Sequence, residues 1–201
     1  DPPHEPDWAT LPHAKDGFGR ITEVPVDLRR SMRRADVLAE FDATMADGTP
    51  NGYAVLDVMA GGTYALAWHN ARDAADTSIG LHAPRVLRRG AYPGWGVFAN
   101  VYMGMDDTRV EYRIDDGGWL PMQKVLQPDP ALLAENMRDD AAEALRGFDR
   151  SPEAEVSQHL WRGALPTTLD AGEHRIEVRA FDRWRGEVRA GTRYRLQDRK
   201  P

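Results

Sequence analysis

The chain has no cysteine among its 201 residues. That excludes disulfides, thiolate metal sites and a cysteine nucleophile. It also lacks any apolar run near the ~20 residues that a membrane-spanning helix needs. Positive charge is in deficit: 26 Lys and Arg stand against 32 Asp and Glu, a formal net charge of −6. A nucleic-acid partner is not expected, because phosphate binding needs clustered Lys and Arg. Arg29, Arg30, Arg33 and Arg34 form a local exception, which reads as the wet face of a helix.

Signatures of chemistry are missing as well. There is no G-x-x-x-x-G-K-[ST] loop for nucleotide phosphates, no G-x-S-x-G elbow, and no H-x-H or H-E-x-x-H metal pattern. The six histidines, at 4, 13, 69, 82, 159 and 174, are widely spread. His4 and His13 could reach a metal with Asp7 or Asp16, but they sit in an irregular lead-in, and a site needs ligands on a rigid frame. His174 follows a glycine turn at the start of a strand and reads as a hydrogen-bonded structural histidine. The pairs Asp106-Asp107, Asp115-Asp116 and Asp139-Asp140 read as solvated turns, with calcium binding as the other possibility. No catalytic residue, metal ligand or cofactor is expected in this chain.

The remaining composition is that of a globular protein, with 41% hydrophobic and 29% charged residues. The length fits one domain or two small ones. Residues 1–41 read as a lead-in or linker, rich in Pro, Asp, His and Gly at first. Ile21 to Val26 is a short edge strand, and Asp27 to Glu40 has helical spacing. The chain begins Asp1-Pro2-Pro3-His4, which reads as an excised piece of a longer protein or a processed product.

From residue 42 to 201 the style is mainly β. Tyr53–Met59 and Thr63–Trp68 around Gly61-Gly62 form a hairpin, because paired glycines supply the positive φ of a tight turn. Ser78–His82, Gly96–Met103, Arg109–Ile114, His174–Phe181 and Val188–Leu196 are further strands, and Trp119 opens another. Pro128 to Arg146 has helical spacing and interrupts the series. Strands joined by glycine-rich turns predict an all-β sandwich or barrel, and the fold expected is a mainly β, Ig-like or β-sandwich module with a short helical insertion and a helical or extended lead-in. Val110, Tyr112, Trp119, Trp161, Ile176 and Val178 are its expected core.

Two sets of residues stand out as candidate contacts. Asp47-Gly48 and Asn51-Gly52 set two turns around Pro50, so the loop is stiff and Asp47, Thr49 and Asn51 can point outward just before Tyr53. Trp68, Tyr92, Trp95 and Trp184 fall near strand ends or loops and can form an aromatic surface for sugar or protein.

The segments Thr44–Leu56, Val97–Tyr102, Val110–Asp115 through Trp119–Met122, His159–Pro166 and Gly172–Asp182 carry a resemblance. Residues from about Asp42 to Leu196 resemble the C-terminal domain of bacterial calcineurin-like phosphoesterases, with Met45 to Tyr53 the most specific piece. The D-x-H, G-D-x-x-D, G-N-H-[DE] and G-H-x-H motifs of the catalytic core are absent. The resemblance therefore implies a non-catalytic accessory module. Its implied partner is the phosphoesterase catalytic domain of the parent chain, which would hold the divalent metal pair. Asp47, Thr49, Asn51 and Tyr53 are the expected contact with that core or its cleft. A periplasmic or secreted location is slightly favoured. An independent carbohydrate- or protein-binding sandwich is the alternative.

Overall fold

A computed structural model of the chain describes residues 44–199, apart from Ala60, Ala75, Pro93 and Phe148. The lead-in over 1–41, with its expected strand and helix, the Arg29–Arg34 run and the set His4, Asp7, His13 and Asp16, lies outside the described residues.

The described chain is mainly β. In order it forms β1 (Gly52–Val58), β2 (Tyr64–Asn70), β3 (Ile79–His82), β4 (Val86–Arg88), β5 (Gly96–Val101), β6 (Arg109–Ile114), β7 (Leu120–Pro121) and β8 (Gln123–Pro128). One helix, α1 (Pro130–Asp140), precedes β9 (Val156–Ala164), β10 (Gly172–Asp182) and β11 (Gly186–Gln197). One sheet has the order β4-β11-β10-β6-β7 and a second β3-β5-β9-β8, while β1 and β2 pair only with each other.

Alternation decides which side chains enter the core. On β6 and β10, Val110 and Tyr112 stand opposite Ala180 and Val178, with Ile114 opposite Ile176. Their inward faces meet Val97, Ala99 and Val101 of β5 and Trp161 of β9, so the two large sheets share one core. Val97, Ala99, Ile176, Val178 and Ala180 are fully buried. Burying a Val or Ile side chain stabilises by roughly 1.5–3 kcal/mol. Gly163 of β9 is required here: a Cβ on it would come within 3.0 Å of three Tyr112 ring atoms.

The expected hairpin is present, with Gly61 and Gly62 at φ +90 and +80. Trp119 departs from expectation. It lies at the end of an irregular turn, one residue before β7, and is only half-buried. It stacks on the outer face of the β11-β10-β6 sheet, with the guanidinium of Arg179 at 4.2 Å, Arg113 at 4.8 Å and Arg189 at 5.6 Å from its ring centre. The turn length before β7 puts its side chain on the polar face. The helix is shorter than the expected Pro128–Arg146. Asp129 caps it by accepting from the amides of Ala131 and Leu132, and Pro130 occupies its first turn. Of its apolar residues only Leu132 is buried, and Leu133 and Met137 are exposed.

Candidate functional site

Met45 to Tyr53 opens with a tight turn. Gly48 donates to the Met45 carbonyl at 2.9 Å, and Met45 donates to the Thr49 carbonyl at 2.7 Å. Gly48 has φ +84, and a Cβ there would come within 2.5–2.7 Å of the Asp129 side chain. Glycine is needed for both the conformation and the space. Asp47 Oδ1 accepts from the Thr49 amide at 2.9 Å and closes the loop on itself.

This geometry turns the loop inward. Asp47 Oδ2 stands 3.1 Å from His159 Nε2, and Thr49 Oγ1 stands 3.4 Å from the same nitrogen. His159 Nδ1 lies 2.7 Å from Asn100 Oδ1. The Asn100 amide donates to the Asp47 carbonyl at 3.0 Å and to Asp129 Oδ2 at 2.7 Å. Those two donations leave Oδ1 to accept from His159. One buried asparagine on β5 thus ties together the loop, β9 and the cap of α1.

Electrostatics follow from the same contacts. Burial raises the Asp47 pKa, but hydrogen bonds from His159 and the Thr49 amide, with the His159 charge, outweigh it and hold the carboxyl at about 2. The Thr49–His159–Asp47 grouping superficially resembles an activated hydroxyl. Thr49 is buried, however, and the Asp47 carboxylate competes for the same imidazole nitrogen. These contacts make the cluster a cross-brace between the loop, β5 and β9.

The expectation that Asp47, Thr49 and Asn51 point outward needs correction at Thr49. Thr49 is buried against His159 of β9, while the Asp47 side chain bonds the same imidazole and stays 35% exposed. Asn51 is half-buried and its carbonyl accepts from Ala71 at 2.9 Å. Tyr53 is 58% exposed and stacks on His69 at 5.0 Å.

A cleft of about 480 Å³ adjoins the brace between α1, β3 and β5. Four of its charged groups pair with one another: Arg72 with Asp73 at 3.0 Å and Arg138 with Glu135 at 2.8 Å. Burial lowers the His82 pKa, opposed by the Asp129 charge. Burial also pushes the Tyr102 hydroxyl up to about 12, so it stays neutral near pH 7. Among the described residues, no group of three His, Asp or Glu side chains is placed to hold a metal.

The aromatic candidates do not form one surface. Trp68 is buried over Gly52, since β2 turns it toward the body of the domain. Tyr92 and Trp95 are exposed just before β5 begins. Trp184 shares a small pocket with Met103, beyond the other end of β5, and its ring lies 5.8 Å from Tyr64. A six-residue strand of about 20 Å separates the two groups. His174 is structural in its contacts: Nδ1 lies 2.8 Å from Asp115 Oδ2 and Nε2 lies 2.9 Å from the Asp170 carbonyl. Asp115 is therefore engaged, not a freely solvated turn residue.

No helix among the described residues is long and apolar enough to cross a membrane. A search of curated proteins and a search of solved structures returned no match. The model of one family, described as the C terminal of calcineurin-like phosphoesterase, matches residues 40–187. That span covers well over half of the chain and contains the brace, the hairpin and most of both large sheets, so the chain belongs to the family of C-terminal domains of calcineurin-like phosphoesterases.

Proposed function

We propose that this chain is the non-catalytic accessory domain of a metal-dependent phosphoester hydrolase, seated on the catalytic core and shaping its cleft. The observation that carries this reading is how the most specific family segment is used. Within residues 45–53, Asp47 and Thr49 bond His159 and the Asp47 carbonyl accepts from Asn100, so this segment is used to hold the module together. The phosphoesterase chemistry then belongs to the core, with its own metal ligands. The module's contribution is a rigid Ig-like frame held at a fixed angle. An independent sugar-binding role has less support, since the candidate aromatics lie at opposite ends of the sandwich.

Amide hydrogen exchange tests this reading. It would compare the module's amides in this chain and in the intact phosphoesterase that carries it. At least one contiguous face should exchange more slowly in the intact protein. Identical exchange over the whole module would mean that it does not pack on the core, and the reading would fall.

A further inference from the structure

Exposed large hydrophobics are spread over the described module, and six of them fall within the single stretch 53–64. Tyr53, Val55, Leu56, Val58, Met59 and Tyr64 are all exposed large hydrophobics, and all belong to the β1–β2 ribbon or its turn. Val58 is 72% exposed. Cross-strand pairing places them on both faces: Tyr53 and Val55 share one with His69 and Ala67, while Leu56 and Val58 share the other with Leu66 and Tyr64. Between Gly52 and Asn70 the only acidic residue is Asp57, and there is no Lys or Arg. Clustered exposed apolar side chains of this kind mark interaction sites.

The root of the ribbon is fixed. Trp68 is buried over Gly52, and Asn70 Oδ1 accepts from the amides of Arg72 and Asp73, each at 2.9 Å. Among the described residues the rest of the ribbon hydrogen-bonds to no other sheet, and both outer edges lack ladder partners there. A two-stranded hairpin is marginal alone and gains stability when something covers it. Unpaired edges with alternating apolar side chains suit β-strand addition and side-chain pockets together.

The family match indicates what covers it. A C-terminal module follows its catalytic part in the chain, and the match begins at residue 40. Among the described residues the ribbon, starting at Gly52, is the first regular element. A covalent link between two parts of one chain raises their effective concentration, so modest contacts suffice to hold them together. We propose that the β1–β2 ribbon is the surface by which this module docks on the phosphoesterase catalytic domain, into an apolar groove with an exposed strand edge. This rests on the accessory-domain reading and adds the location and chemistry of the contact.

The test places a photo-reactive benzoylphenylalanine at Val58 of the intact phosphoesterase, with Tyr92 as an exposed control. Cross-linked peptides are mapped after illumination. The expected result is a cross-link from position 58 to the catalytic domain and none from position 92. Capture of a second copy, or of residues 1–43, from position 58 would overturn the proposal. So would no capture from 58 while exchange shows a different face of the module protected, and the accessory reading would then stand without it. No protected face anywhere would sink both. A paired variant, Leu56→Asp with Val58→Asp, should leave the melting temperature of this chain within a few degrees of the parent and abolish ribbon protection in the intact protein. Unchanged protection would also count against the proposal.

Discussion

Replacing Asn100 with alanine should cost roughly 3 kcal/mol, far more than one average hydrogen bond. The side chain is 1% exposed and makes three hydrogen bonds at 2.7–3.0 Å. A single net bond contributes about 1 kcal/mol, but a buried group left without a partner costs about 1–3 kcal/mol. Asn100→Ala strands Asp129 Oδ2 and His159 Nδ1 together. Asp129 is buried, so its cost is close to the full penalty, whereas half-buried His159 recovers part of its loss from water. Asn100→Asp should be at least as damaging, because it replaces the donor facing Asp129 with another acceptor. Urea unfolding followed by tryptophan fluorescence gives the free energies. A loss under about 1 kcal/mol for the alanine variant, or wild-type stability for the aspartate variant, would refute the brace.

Gly48→Ala should also destabilise strongly, because the positive φ costs a non-glycine residue about 1–2 kcal/mol and the added Cβ collides with Asp129; a neutral result in the same melts would refute the packed turn. Trp161→Ala should cost about 3–5 kcal/mol, since its ring is buried in the shared core; a loss below 1 kcal/mol would show that the sheets do not share it. The folded Asp47 carboxyl lies at about 2 against the ordinary 3.8, so its contribution is present above 3.8 and lost as pH falls through about 2. Asp47→Asn should flatten that acid limb in a pH series of thermal melts. His174 has the opposite sign: its hydrogen bond to Asp115 raises its pKa, so its contribution is present below 6.5 and fades as pH rises through the folded value.

Much of the fold was legible because period-two alternation is a local property. Val110, Tyr112 and Ile114 lie where that alternation puts them, and Gly61-Gly62 marks the hairpin turn. Trp119 was misplaced because alternation does not carry across a turn of irregular geometry. Trp68 was misplaced because its burial depends on how the ribbon sits, which is tertiary. The brace was missed because its members, at 47, 49, 100, 129 and 159, are far apart in the chain. Two local signals pointed toward it. Asn100 interrupts an apolar strand, Val97-Phe98-Ala99-Asn100-Val101-Tyr102, and a buried polar group there must find partners. Asp129-Pro130 is a helix-start signal, and so predicts a carboxylate aimed at backbone amides.

The most direct measurement of the central claim, that this module supports chemistry without performing it, is an aryl-phosphate hydrolysis assay on the purified chain with added manganese. The account predicts no turnover above the uncatalysed rate and no metal retained after dialysis. Turnover that co-purifies with the chain and disappears on chelation would contradict it.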